Sequence, residues 1–338
     1  MRALVWQGPF TVEVDAVDAP EPAAGEVLVA PAVVGICGSD VTAYKGKMGT
    51  ARPGAIRGHE FGGTIARSSS ESPAVGARVA VDPVVPCGSC PQCERGEPTS
   101  CSRVEIIGVH RPGALAELVA VPATQIHPLP DALDWLDAAS AEPLAQAIHD
   151  VELARAGGRA LGACLVIGGG SIGSWIVTAI AKGLGRAGGS EATRLTAVDT
   201  DRSRHPLLSA LGADEVCADL GALGTKRFDT VIDAVGNAAT RRRAVELAAN
   251  GGLVVAVGLG ADESAIPWFE LTRREITVRG ANVFRAEEYA LALRALASGR
   301  AELLQRSEPI PLGDTAAAFE RLASDGAGSG KVFVSPQT

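Results

Sequence analysis

The sequence predicts an α/β protein in two parts: a β-rich first domain and a second domain built on a doubly wound parallel sheet. Three observations carry this expectation. The chain has 338 residues, which at roughly 150 residues per domain suggests about two domains. From Arg2 to about Glu142, short alternating apolar runs such as Glu26–Val29 and Arg78–Val81 are punctuated by Gly and Pro, the texture of short strands and turns. Beyond about Ala138 the sequence becomes Ala-rich, and continuous apolar runs at Ala163–Ile167, Leu195–Val198, Thr230–Ile232 and Leu253–Val257 alternate with helical stretches. Strands covered by helices on both faces read as unbroken apolar runs and form a parallel sheet.

Taken in order, residues 1–144 form the β-rich domain and residues 145–280 the doubly wound one. Residues 281–338 return to the first domain through a helix near Glu287–Ala297 and a last strand at Lys331–Val334. The polar stretch Ser68–Pro73 reads as a surface loop.

Composition narrows the function. Hydrophobic residues at 46% and charged residues at 21% fall in the globular range and exclude wholesale disorder. With 39 acidic against 31 scattered basic residues the net charge is -8, so there is no basic footprint for nucleic acid or an anionic membrane. No apolar run approaches the roughly 18 residues of a membrane span, and MRALVWQGPF lacks the core of a signal peptide. These features place the chain in the cytoplasm.

Four of the seven cysteines, Cys87, Cys90, Cys93 and Cys101, lie within fifteen residues. In a cytosolic protein such a cluster points to metal rather than disulfides, and four thiolates around one ion are the usual form of a closed structural zinc site. Closed coordination leaves no position for substrate, so this site folds a loop that lacks its own core. A zinc-ribbon nucleic-acid module is the rival reading, and the acidic charge balance argues against it.

A dinucleotide site is indicated by Val166-Ile167-Gly168-Gly169-Gly170-Ser171-Ile172-Gly173, a Gly-x-Gly-x-x-Gly that follows a buried strand and opens a helix. Such a turn lets main-chain N–H groups and the helix N-terminus approach a pyrophosphate. The next strand ends in Asp199, where a carboxylate accepts from the adenosine ribose hydroxyls and repels a 2′-phosphate, favouring NAD over NADP. Asp199 lies 26 residues beyond Gly173, rather than the roughly 20 expected; the Gly/Ser-rich insertion 185–191 accounts for the difference. Arg202 and Arg204 follow closely and could instead hold a phosphate.

Candidates for a second, open metal site are dispersed: Cys37 in Cys37-Gly38-Ser39-Asp40, His59 and Glu60 in Gly58-His59-Glu60, and Glu142 in Glu142-Pro143-Leu144. One thiolate, one imidazole and one or two carboxylates leave zinc room for water or a substrate oxygen. Read without context, Cys37 is also compatible with a buried small hydrophobe and Glu142 with a surface position.

The order and separations of Gly35–Asp40, Gly58–Gly63, the four-cysteine lobe, Glu142–Leu144 and the late glycine motif closely resemble the zinc-dependent medium-chain alcohol dehydrogenases, over essentially the whole chain. Glutamate at position 142 resembles the polyol branch, which includes sorbitol, butanediol and threonine dehydrogenases. The stretch Cys37–Gly46 is similar to aminocyclitol dehydrogenases. The resemblance implies a GroES-like catalytic domain, a Rossmann domain, NAD and two zinc ions per chain, one catalytic and one structural. It implies that Cys37, His59, Glu60 and Glu142 serve the catalytic zinc, that Ser39 meets the reacting hydroxyl, and that Asp40 orients a zinc-bound histidine. It further implies a homodimer or homotetramer acting on a small alcohol or ketone. One departure is Thr42, where many relatives carry the histidine that ends a proton relay. The expected reaction is hydride transfer between NAD and a secondary alcohol of a polyol, cyclitol or aminocyclitol, or of a butanediol- or threonine-type substrate. A non-catalytic NAD-binding sensor is the alternative of another class.

Overall fold

The computed structural model describes residues 1–68, 74–185, 194–303, 305–324 and 330–338. Most of the predicted loop at 68–73 and of the insertion at 185–191, and much of the glycine-rich tail before Lys331, lie outside the described residues. The chain divides into two compact units, Met1–Glu142 with Arg285–Thr338, and Pro143–Phe284. The division falls within the helix Trp135–Ala154, at Pro143.

The first unit is a largely antiparallel β structure, with one parallel pairing between 310–311 and 333–335, around a main apolar core that includes Val29, Phe61, Ile65, Val79, Val121 and Phe319. Its main sheet runs in the order 126–128, 78–81, 60–68, 26–35, 333–335, 310–311, with 119–122 also paired to 26–35. Strand Glu26–Gly35 is its organising element. On one side Gly35 pairs with Glu60 and Val34 with Phe61; on the other Gly35 pairs with Phe333 and Val34 with Val334. The last strand therefore begins, at Phe333, beside the same glycine as the strand that begins at Glu60.

The second unit carries six parallel strands in the spatial order 215–217, 194–198, 163–167, 228–233, 248–256, 277–280. Numbered along the unit this is 3-2-1-4-5-6, the doubly wound Rossmann order. Leu165, Ile167, Val231, Val245, Leu247 and Val254 are all buried in its core. Burying each such side chain contributes about 1.5–3 kcal/mol before the entropy of ordering the chain is counted. No helix among the described residues is long and apolar enough to cross a membrane.

Candidate active site

Sheet register explains how residues far apart in the chain meet. Cys37 follows Gly35 by two residues and caps the short helix Gly38–Tyr44, while Glu60 sits opposite Gly35 with His59 just before it. The Sγ of Cys37, a ring nitrogen of His59 and a carboxylate oxygen of Glu60 all lie within 4.8 Å of one another. Glycines make the approach possible. A Cβ on Gly35 would stand 2.3 Å from Glu60 Oε2. Gly58 has φ +98, a conformation that disfavours side chains, and its backbone is held by the N–H of Ala114. A Cβ on Gly62 would meet the Ala138 Cβ at 2.4 Å, so this glycine lets the helix Trp135–Ala154 close on the sheet. Glu142, one turn beyond Ala138 on the same helix face, is thereby brought to the cluster.

The cluster is electrostatically loaded. Burial pushes the Cys37 thiol up to about 12, with the charges of Glu60 and Asp40 adding to the effect and those of Lys331 and the Ser39 hydrogen bond opposing it. Burial also raises the Glu142 carboxyl well above the usual range; His59 and Lys331 oppose this, and Glu60 and Cys37 reinforce it. Glu142 feels these charges but stands outside the close three-atom group of Cys37, His59 and Glu60. A thiol that holds its proton this firmly, next to an imidazole and two carboxylates, is a donor set that a divalent cation can bind by displacing the proton. The residues present fit zinc with one open position.

Around this group, Ser39 Oγ lies 3.4 Å from His59 Nε2. Asp40, fully buried, accepts from the Cys37 N–H through Oδ2 and has Oδ1 3.7 Å from His59 Nδ1. Thr42 donates its hydroxyl to Gly38 O, four residues back on its own helix, so it does not continue a relay from Ser39.

Two residues at this site escaped the sequence analysis. Lys331 Nζ lies 2.5 Å from Glu60 Oε2, and its ammonium is half of a buried ion pair. Burial alone would lower its pKa, but Glu60 and Cys37 beside it prevail and raise it. The visible signal was a single lysine at the head of the apolar strand Val332-Phe333-Val334. The other is Arg57, 3% exposed, whose Nε lies 3.3 Å from Asp40 Oδ1; nothing in the local spacing marked it.

Cys87, Cys90, Cys93 and Cys101 also converge, with all four sulfurs within 4.8 Å. None of the seven cysteines is in a disulfide. The Ser89 backbone N–H and the Arg103 guanidinium lower Cys87 to about 5, the Cys93 N–H lowers Cys90 to about 7, and burial next to the other sulfurs raises Cys93 to about 12. Arg103 Nη2 donates to both Cys87 Sγ and Ser89 Oγ. The set fits one tetrahedral zinc with no open position.

In the second unit the strand Ala163–Ile167 passes through Gly168-Gly169-Gly170 into the helix Ser171–Ala181. Gly168 has φ +95, and a Cβ on Gly173 would stand 1.8 Å from Gly168 O, so neither tolerates a side chain. A Cβ on Gly170 would meet only Arg204 at 4.0 Å, which leaves the turn open before the first N–H groups of the helix at Ser171 and Ile172. Asp199 is buried; its Oδ2 accepts from Gly169 N at 2.6 Å and Arg204 Nη1 at 3.0 Å, and its Oδ1 from Asp201 N at 2.8 Å. Arg204 therefore faces Asp199.

A dinucleotide turn on a doubly wound sheet, a thiol–imidazole–carboxylate cluster and a closed four-thiol lobe define a zinc-type dehydrogenase. The chain matches the alcohol dehydrogenase GroES-like domain at residues 23–131 and the zinc-binding dehydrogenase family at residues 176–298. It is similar to 2-dehydro-3-deoxy-L-galactonate 5-dehydrogenase of Pseudoalteromonas atlantica, with 32% identity over 89% of each chain. It is likewise similar to sorbitol dehydrogenase of Bombyx mori, with 34% identity over 96% of each. An Escherichia coli alcohol dehydrogenase solved with NADH superposes with a TM-score of 0.87 at 27% identity, covering 99% of both chains. The chain belongs to the zinc-dependent medium-chain alcohol dehydrogenase family, in its polyol branch, and is an oxidoreductase acting on CH–OH groups.

Proposed function

We propose that this chain carries out the reversible, NAD-dependent oxidation of one secondary hydroxyl of a polyhydroxylated substrate, a polyol, sugar acid, cyclitol or aminocyclitol, to the ketone. The observation that carries the reading is the convergence of Cys37, His59 and Glu60, which the register opposite Gly35 produces. Cys37, His59 and Glu60 would hold zinc, with Glu142 as the neighbouring carboxylate, and the bound ion would supply Lewis acidity that lowers the pKa of an alcohol hydroxyl. Ser39 Oγ, beside the His59 ring, accepts the substrate hydroxyl proton as it passes its own proton to water, since Thr42 is turned back onto Gly38. Asp40 holds the His59 ring and the turn at Cys37.

Gly168, Gly170, Ser171, Ile172 and Gly173 form the pyrophosphate turn, and Asp199 receives the ribose hydroxyls. Preference for NAD rather than NADP is supported by the way Arg204 is occupied by Asp199 and Asp201. The cluster Cys87, Cys90, Cys93 and Cys101 holds a second, structural zinc. The complete donor set supports catalysis rather than a silent dinucleotide sensor. A cytoplasmic location is supported by seven free thiols. A homodimer or homotetramer is supported by the edge strand Thr277–Gly280, exposed along its length, with Trp268 and Phe269 exposed nearby in the chain.

The test is a screen of linear polyols, sugar acids, cyclitols, aminocyclitols, butanediol and threonine for NADH and NADPH formation. Turnover of a polyhydroxylated secondary alcohol with NAD is expected. Turnover confined to simple primary alcohols, or strict dependence on NADP, contradicts the proposal.

A further inference from the structure

Arg57 is a buried cation that the reaction as described does not use. Its side chain is 3% exposed. Nε reaches Asp40 Oδ1 at 3.3 Å, Nη2 reaches the Met48 sulfur at 3.3 Å, and Nη1 is buried with no hydrogen-bond partner among the described residues. A guanidinium taken out of water is costly unless its charge is matched, and here the partner that matches it is Asp40. That carboxylate is shared three ways. Oδ2 accepts the backbone N–H of Cys37, while Oδ1 accepts from Arg57 Nε and lies 3.7 Å from His59 Nδ1, a buried ring nitrogen with no hydrogen-bond partner among the described residues.

The backbone fixes Arg57 as firmly as the side chain does. Its carbonyl accepts from Leu115 N at 2.9 Å, the carbonyls of Ile56 and Gly58 on either side accept from Gly113 and Ala114, and a Cβ on Gly113 would stand 2.4 Å from Arg57 O.

We propose that Arg57 is a positioning residue for the metal site: it pins Asp40 so that one carboxylate holds both the Cys37 turn and the His59 imidazole in the geometry that receives zinc. The inference rests on Cys37 and His59 as catalytic-metal ligands. Its effect is on metal affinity and ligand geometry.

The experiment measures zinc binding to the full-length protein by competition with a chromophoric chelator, together with the absorption bands of the cobalt(II)-substituted enzyme, for Arg57→Met, Arg57→Gln, Arg57→Lys, Asp40→Asn and Arg57→Gln/Asp40→Asn. Arg57→Met and Arg57→Gln are expected to weaken the labile site about tenfold or more and to shift its cobalt bands, while the four-cysteine site keeps its metal. Arg57→Lys is expected to recover most of the affinity, and the double variant to match Asp40→Asn alone. Wild-type affinity and spectra in the Arg57 variants, or losses that simply add in the double variant, would overturn the proposal. If Arg57→Met does not fold, Arg57→Lys and the Asp40→Asn pair decide the question by the same readouts. A wild-type protein with no labile site at all would instead overturn the reading of Cys37 and His59.

Discussion

Lys331 Nζ lies 2.7 Å from Glu60 Oε1 and 2.5 Å from Oε2, a buried ion pair between residues 271 positions apart. Strand pairing creates it: Ile36 donates its N–H to Val332 O, and Gly35 is flanked by Glu60 on one side and Phe333 on the other. The end of the chain thus supplies the counter-charge for a candidate metal ligand. Breaking a buried pair leaves an uncompensated charge, which costs about 3–5 kcal/mol. Lys331→Met is expected to lose stability of that order in urea unfolding and to lower kcat/KM by roughly ten- to hundredfold. Adding Glu60→Gln is expected to return much of the stability without returning the activity. Equal stability of the single and double variants would show that the pair is not coupled.

The four-cysteine lobe contributes fold rather than chemistry. Its segment 84–106 has only a two-stranded ribbon, a single-turn helix at Pro91–Glu94 and a short turn at Pro98–Ser100. Cys93→Ser is expected to release one zinc per chain and make the lobe susceptible to proteolysis, as measured by metal analysis and limited digestion. Retention of full zinc content would contradict the closed-site assignment.

The proposed preference for NAD rests on Asp199. Its carboxylate is aimed by Gly169 N and occupied by Arg204, so replacing it removes the ribose acceptor and frees a guanidinium at one step. Asp199→Ala is expected to raise the KM for NAD about tenfold or more, as loss of a charged hydrogen bond of about 1.5–3 kcal/mol implies. Activity with NADP should rise relative to NAD. An unchanged ratio of the two kcat/KM values would place selectivity elsewhere.

Asp82 gives a pH dependence of known sign. It is 2% exposed, and burial raises its carboxyl to about 7 from an ordinary 3.8, although Val84 N donates to it. A carboxyl whose folded value is raised favours the fold fully below about pH 4, and this contribution is lost as the pH rises toward 7 and above. By linkage the loss is at most about 4 kcal/mol. Asp82→Asn cannot ionise, so its stability relative to wild type is expected to grow between pH 5 and pH 8 in parallel denaturation curves. A difference that stays constant across that range would mean that Asp82 is not held protonated.

Much of this was legible in the sequence because it depends on local spacing. Gly168, Gly170 and Gly173 mark a turn that only glycine can make, and the four clustered cysteines carry their own geometry. The dispersed set Cys37, His59, Glu60 and Glu142 was legible through family resemblance, since spacing alone does not reveal a sheet register. Glu142 shows what spacing misses: it arrives through helix packing at Gly62 and stays outside the tight group. Lys331 and Arg57 were not legible. One depends on the pairing of the last strand with Glu26–Gly35, and the other on a carboxylate already assigned to histidine.

The most direct test of the account is zinc content and turnover measured together in wild type and His59→Ala. The account predicts two zinc ions per chain in wild type, and in the variant one zinc, no turnover and intact NADH binding. Two zinc ions and appreciable turnover in His59→Ala would contradict it.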